Sequence, residues 1–304
     1  MSGFVDGRVV VITGAGNGIG RAHALAFAAE GAKVVVNDLG GSRDGDGTSI
    51  GPAQQVVDEI VAAGGQAVAN GDDISSFEGA ENLIKQAIDT FGSVDTLVNN
   101  AGILRDRMLT NMSEAEWDAV IKVHLKGTFG TTRFAAEFWK DRAKAGEPVT
   151  ARVINTTSPS GLFGNPGQTN YGAAKAGIAM FSTIAALELG RYGANVNAIA
   201  PTALTRMTED LPGLASDDES FKALLAPENI SPLVVWLGSA DCTVTGRVFG
   251  VWGNKVSVAE GYVYGPHIDR DQRWTAAELG EVLPDLVSSA LPNADMYGNR
   301  PASS

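Results

Sequence analysis

Cysteine is almost missing from this chain. Cys242 is the single one, so no disulfide can close within the molecule, and a reducing compartment is expected. Basic charge is also short: 23 Lys and Arg stand against 35 Asp and Glu, for a net charge of -12. That balance argues against nucleic acid or an anionic membrane as the main partner, because both select cationic surfaces. A small anionic ligand stays open, since a helix N-terminus binds phosphate locally whatever the net charge. No apolar run reaches the length of a membrane span, and residues 1–7 lack the basic and apolar regions of a signal peptide. The terminal Ala302-Ser303-Ser304 is no peroxisomal address, so a cytoplasmic protein is expected. The Asp44-Gly-Asp46-Gly47 run lacks a calcium register: an EF-hand from Asp44 would need Gly at Ser49 and Glu at Gln55. No metal is expected.

What is present is enough apolar residue, 44% of 304, for a sizeable core. Short Val- and Ile-rich runs at residues 8–13, 33–38, 66–70, 95–99, 152–157 and 195–200 are bounded by turn residues and predict buried strands. Helical stretches lie between them, among them residues 19–30, 78–90, 114–140 and 170–191. Strand-helix alternation of this kind predicts an α/β fold, a doubly wound parallel sheet with helices on both faces. Two segments break the rhythm. Residues 39–51 form a Gly-rich loop, and residues 253–304 form a tail with one helix, opened by a Thr275/Glu278 capping box. No linker divides residues 1–252, so these predict one domain, with 253–304 as its C-terminal extension.

The first strand runs into Thr13-Gly14-Ala15-Gly16-Asn17-Gly18-Ile19-Gly20, which opens a helix. Glycines let the backbone turn tightly and approach a pyrophosphate, while the helix N-terminus supplies N–H groups and a positive dipole. Strand, glycines and helix together make Gly14, Asn17, Gly18, Ile19 and Gly20 candidate dinucleotide-binding residues. Asp38 ends the second strand, eighteen residues beyond Gly20. A carboxylate there accepts ribose hydroxyls and repels a 2′-phosphate, which favours NAD over NADP; an ordinary turn Asp is the alternative. Asp73-Ile74 and Asn99-Asn100-Ala101-Gly102 follow the third and fourth strands, at the carboxyl ends where open α/β sheets bind ligands.

Tyr171 and Lys175 stand four residues apart in a helical stretch, hence on one face. An ammonium beside a phenol favours the phenolate and lowers a pKa that is otherwise about 10. Tyr171 is then a candidate general base for a secondary alcohol and a general acid for a ketone. Ser158, thirteen residues before Tyr171, ends the fifth strand and can hydrogen-bond the reacting oxygen. A lone Tyr-x3-Lys pair is common on helix surfaces; the surrounding motifs give this one its meaning.

These residues resemble the short-chain dehydrogenase/reductase family over roughly residues 8–252. The resemblance implies a Rossmann-type sheet of about seven strands, an NAD(H)- or NADP(H)-linked oxidoreductase, and a homodimer or homotetramer built on the helices after strands four and five. The small residues Ala173, Ala174, Ala176, Gly177 and Ala179 suit such close helix packing. Less generic segments are similar to the D-3-hydroxyacyl-CoA dehydrogenase branch of that family, found in peroxisomal multifunctional enzymes and in stand-alone bacterial relatives. They are residues 34–41 (VVVNDLGG), 99–107 (NNAGILRDR), 123–127 (VHLKG), 164–171 (GNPGQTNY) and 206–208 (RMT). By that resemblance Ile19, Asp38, Asp73, Ile74, Asn100, Tyr171, Lys175 and the loop from Ala203 through Leu204 to Arg206 touch NAD. Ser158 touches substrate, an acyl-CoA oxidised in fatty-acid or sterol side-chain breakdown.

The family pattern is broken at three places. His124 replaces an Asn that organises a proton relay in most members, and a core His bonded to backbone is its other reading. Thr202 and Arg206 replace a Gly and a Thr near the nicotinamide. The tail from 253 has no counterpart residue by residue. Arg105, Arg107 and Arg206 are candidates for the CoA phosphates, with pairing to nearby acids as the alternative. A steroid or other bulky alcohol, a ketoacyl reductase and an idle NAD-binding scaffold are the competing functions.

Overall fold

The computed structural model describes residues 3–42, 44–205 and 218–300. Strands and helices alternate from the start: β1 (Val9–Thr13), α1 (Gly18–Ala29), β2 (Lys33–Asn37), α2 (Gly51–Ala62), β3 (Gln66–Asn70), α3 (Phe77–Phe91) and β4 (Thr96–Asn99). After β4 come α4 (Glu114–Ile121), α5 (Gly127–Lys144), β5 (Ala151–Thr156), α6 (Pro159–Phe163), α7 (Thr169–Leu189) and β6 (Ala194–Thr202). Then follow α8 (Glu219–Leu224), α9 (Ser231–Gly238), β7 (Val248–Trp252), β8 (Lys255–Ala259) and α10 (Ala276–Ser289). The strands form one sheet in the order β3-β2-β1-β4-β5-β6-β7-β8. Strand order reverses between β1 and β4, the switch point at which such sheets leave a crevice.

Pleating explains why the strands read as nearly unbroken apolar runs. Val10, Ile12, Val34 and Val36 face one side, where Phe27 of α1, Ile60 of α2 and Leu237 of α9 cover them. Val9, Val11 and Val35 face the other, beneath Leu83 of α3, Trp139 of α5 and Ala185 of α7. The Trp139 indole N–H donates to the Val94 carbonyl at 2.6 Å, so α5 is fixed at the foot of β4.

Three expectations change. The sheet has eight strands rather than about seven, because Lys255–Ala259 folds back antiparallel on β7. Gly253 makes that reversal with φ of +53°, and Val256 and Val258 leave the new edge strand half exposed, too weakly patterned to read as buried. The single helix expected over 114–140 is interrupted by a π-helical stretch, Lys122–Lys126, between α4 and α5. A π turn inserts a residue and rotates the helix beyond it, a feature that recurs at functional sites. Finally, Thr169–Tyr192 is long and apolar enough to cross a membrane by length and composition, with mean hydropathy 1.2. About a third of that window is buried here: Ala174, Ile178 and Ala185 pack against the protein, and so does Lys175. The expected Thr275/Glu278 capping box does open α10.

Candidate active site

Gly14 follows β1 at φ +63°, and a Cβ there would lie 2.7 Å from the Ala101 Cα. Gly20 is pressed against the same turn, where a Cβ would meet the Gly14 carbonyl and the Asn100 amide. Asn100 ties the two chain segments together: its Nδ2 donates to the carbonyls of Thr13 at 3.2 Å and Gly14 at 3.1 Å. The Thr13 hydroxyl in turn accepts the backbone N–H groups of Asn100 and Ala101, at 3.0 and 3.1 Å. The loop is thus pre-shaped before any ligand arrives. Asn17 stands at the N-terminus of α1 without a side-chain capping bond, so the helix's first N–H groups face the cavity unshielded by it.

Asp38 sits where β2 ends. Its Oδ2 accepts the Gly16 N–H at 2.8 Å and its Oδ1 the Gly40 N–H at 2.7 Å. The carboxylate therefore belongs to the glycine turn as much as to β2. Asp73 is similarly braced, accepting the Ser75 N–H at 2.9 Å.

At the far end, α7 carries Tyr171 and Lys175. Lys175 is buried, and its Nζ donates to the Thr156 carbonyl at 2.6 Å; the Thr157 hydroxyl donates to the Lys175 carbonyl at 2.6 Å. The Lys175 Nζ lies 5.5 Å from the centre of the Tyr171 ring. Ser158 caps α6, accepts the Ser160 N–H at 3.2 Å and lines the same cavity as the Tyr171 phenol. Burial pushes the Tyr171 phenol up to about 12, against a smaller lowering by Ser158 and a further rise from Asp106. Burial also pushes the Lys175 ammonium down to about 7. The expected downward pull of Lys175 is not what sets the phenol in the protein by itself: burial dominates, because loss of water disfavours both charged forms.

His124 lies beside this pair on the π turn, its ring edge-on to Tyr171 at 5.2 Å between centroids. Its Nε2 is 2.8 Å from the Ile103 carbonyl, whereas its buried Nδ1 has no partner among the described residues. Burial first, then Lys175, push its pKa down to about 3, so the ring is neutral. The reading of His124 as a core histidine bonded to backbone agrees with this geometry.

One cavity joins both ends. Gly14, Asn17, Gly18, Ile19, Asp38, Asp73 and Ile74 line it together with Asn100, Ala101, Gly102, Ala203, Ser158, Tyr171 and Lys175. Two predicted residues fall outside its lining. Gly20 is buried beneath the turn, and Leu204 turns its N–H to the Leu225 carbonyl at 2.6 Å. Arg206 lies outside the described residues. The two other candidate arginines are paired: Arg105 with Asp46 and Arg107 with Glu116, each at 3.1 Å. Residues missed in the sequence include Thr156, whose backbone holds Lys175, and Asn170. The latter is buried and donates to the carbonyls of Arg105 at 2.9 Å and Glu116 at 3.2 Å, anchoring the start of α7. Asn170 carried one signal, its place beside Tyr171; Met296, which also lines the cavity, carried none.

The family model for short chain dehydrogenases matches residues 8–213, which contain the glycine turn, Ser158, Tyr171 and Lys175. The chain belongs to the short-chain dehydrogenase family. It is an oxidoreductase, and the dehydrogenases of this family generally use NAD or NADP. A crystal structure of a short chain dehydrogenase from Mycobacterium avium matches with a TM-score of 0.87 at 56% identity, covering 98% of this chain and 100% of that one. Hydroxyacyl-CoA dehydrogenase ChsB1 of Mycobacterium tuberculosis is 45% identical over 95% of this chain and 91% of its own. Peroxisomal multifunctional enzyme type 2 of Mus musculus is 47% identical over 81% of this chain but 32% of its own, so this chain corresponds to one part of that protein.

Proposed function

We propose that this short-chain dehydrogenase oxidises 3-hydroxyacyl-CoA thioesters to 3-ketoacyl-CoA with NAD, in fatty-acid or sterol side-chain breakdown. The observation that carries the reading is the single cavity running from the glycine turn to Tyr171 and Ser158. Relatives named hydroxyacyl-CoA dehydrogenase and multifunctional enzyme supply the substrate class.

The residues fit a dinucleotide. Glycines whose Cβ positions are filled by neighbouring backbone admit a pyrophosphate at the N-terminus of α1. Asp38 accepts the adenosine ribose hydroxyls and repels a 2′-phosphate. Bound there, the dinucleotide supplies the hydride acceptor and, when oxidised, a positive ring near the phenol. The chain's own residues handle the proton. Ser158 holds the substrate oxygen against the Tyr171 phenolic oxygen, and Tyr171, ionised to the phenolate, takes the alcohol proton on that oxygen. Lys175, fixed by the Thr156 carbonyl, supplies the nearby cationic charge that helps the phenol ionise.

Residues 1–252 act as one catalytic domain with 253–304 as its extension, in a cytoplasmic homodimer or homotetramer. Met180, Ile184 and Leu187 stand exposed along α7, and Leu187 is 81% accessible, an apolar stripe that a second copy would cover. Sedimentation at micromolar concentration tests the assembly, and a lone 31.5 kDa species contradicts it. The test of function is an NAD-coupled screen of 3-hydroxyacyl-CoA thioesters of several lengths against steroid alcohols. Thioesters are expected to be preferred; a steroid alcohol preferred over every thioester overturns the substrate assignment.

A further inference from the structure

Met296 is the one described side chain beyond position 205 that lines the Tyr171 cavity. It belongs to a closed turn. The Asp295 carboxylate accepts the N–H groups of Tyr297 and Asn299, both at 2.9 Å. The Gly298 N–H donates to the Asp295 carbonyl at 2.9 Å, and the Asp295 N–H to the Asn299 carbonyl at 2.8 Å. Gly298, at φ +81°, completes the turn in a conformation that a residue with a Cβ would resist.

Two ring contacts fix this turn in place. Tyr297 lies over Trp252, at the end of β7, with 6.0 Å between ring centres. Gly298 rests on Phe163, at the end of α6; a Cβ there would touch the ring at 3.5 Å. Since α6 starts directly after Ser158, the turn is referenced to the catalytic end of the sheet. α10 has no buried residue, so it does not hold the turn. Two polar residues of the same cavity lining are already engaged: the Asn165 amide donates to the Gln168 side-chain carbonyl at 3.1 Å, and Gln168 donates to Asp106 at 2.8 Å. Met296 adds an apolar, adaptable contact to that lining. Its unbranched thioether adjusts to chains of different shape.

We infer that Met296 is a specificity-determining residue that closes the substrate end of the cavity and sets the length and branching of the aliphatic chain accepted. This rests on the reading of Tyr171 as the group that meets the substrate hydroxyl. The test uses the full-length protein and the variants Met296→Ala, Met296→Trp and Tyr297→Ala. For each, kcat and KM are measured on 3-hydroxyacyl-CoA thioesters of rising length and branching, and on CoA-free secondary alcohols of matching shape. NADH affinity is measured alongside by fluorescence. Met296→Ala is expected to shift the kcat/KM ratio of bulky to short substrates upward by at least about tenfold, the scale at which a pocket discriminates small changes in apolar volume. Met296→Trp should shift it the other way, Tyr297→Ala should follow Met296→Ala, and NADH affinity should not change. Equal proportional losses on all substrates, or losses explained by weaker NADH binding, would overturn the inference. If wild type turns over the alcohols and no thioester, the acyl-CoA reading falls and the alcohol series alone decides Met296. No turnover on either series overturns both.

Discussion

Asp38 offers the sharpest electrostatic prediction. A 2′-phosphate carries roughly −1.5 to −2 charges and would be brought beside a carboxylate held by the N–H groups of Gly16 and Gly40. Two unit charges 4 Å apart repel by about 1 kcal/mol in water and about 4 kcal/mol near a protein surface. Asp38 is partly buried, so a penalty between those limits, of about 2–4 kcal/mol, is expected for NADP(H), or roughly 30- to 1000-fold in affinity. Asp38→Asn is the informative change, because it removes the charge and keeps one side-chain oxygen for the turn. Titrating NADH and NADPH by fluorescence should give a large gap in wild type and a gap reduced at least about tenfold in Asp38→Asn. Added salt should narrow the wild-type gap, since exposed charges are screened over about 8–10 Å. Equal affinities in wild type, or a gap unmoved by Asp38→Asn, would rule out charge repulsion at Asp38 as the source of cofactor selectivity.

Two stability predictions come from the same region. In Gly102→Ala the new Cβ would run into His124 Cε1, and the ring is held by Ile103 and Tyr171, so overpacking of about 1–3 kcal/mol is expected. An unchanged melting midpoint would contradict it. Burial pushes His23 and His124 from 6.5 down to about 3, so below 6.5 the unfolded chain binds more protons than the folded one. Their neutral burial is accommodated fully above about 6.5, and stability falls as pH drops toward 3, by up to about 1.4 kcal/mol per pH unit for each ring. A urea midpoint that is flat between about pH 7.5 and 5.5 would exclude this.

Buried strands and a glycine turn leave strong local signatures, and those features are legible in the order of amino acids alone. Val9 through Thr13 and Lys33 through Asn37 are apolar on both faces because helices cover both, and no other pattern competes. Ser158, Tyr171 and Lys175 are legible because sequence distance there reflects a strand end and one helical turn. The features that stay hidden depend on long-range contact. The π turn at His124 has no periodicity of its own and is set by packing under Gly102. β8 pairs only because Gly253 reverses the chain. Met296 reaches the cavity because Tyr297 meets Trp252 and Gly298 rests on Phe163, partners 45 and 135 positions earlier, and no local pattern reports such contacts. The phenol's upward shift is equally unreadable, since the burial that causes it exists only in the folded chain.

If Tyr171 moves the proton, Tyr171→Phe removes that step alone. The variant removes one oxygen and leaves the glycine turn, Asp38 and the Lys175–Thr156 bond in place. Steady-state turnover with NAD and the best substrate of the screen, measured beside NADH affinity, should show a loss of at least about a hundredfold with unchanged NADH binding. A variant that keeps more than about a tenth of the wild-type rate, a loss of barely 1.4 kcal/mol, would contradict the role assigned to Tyr171.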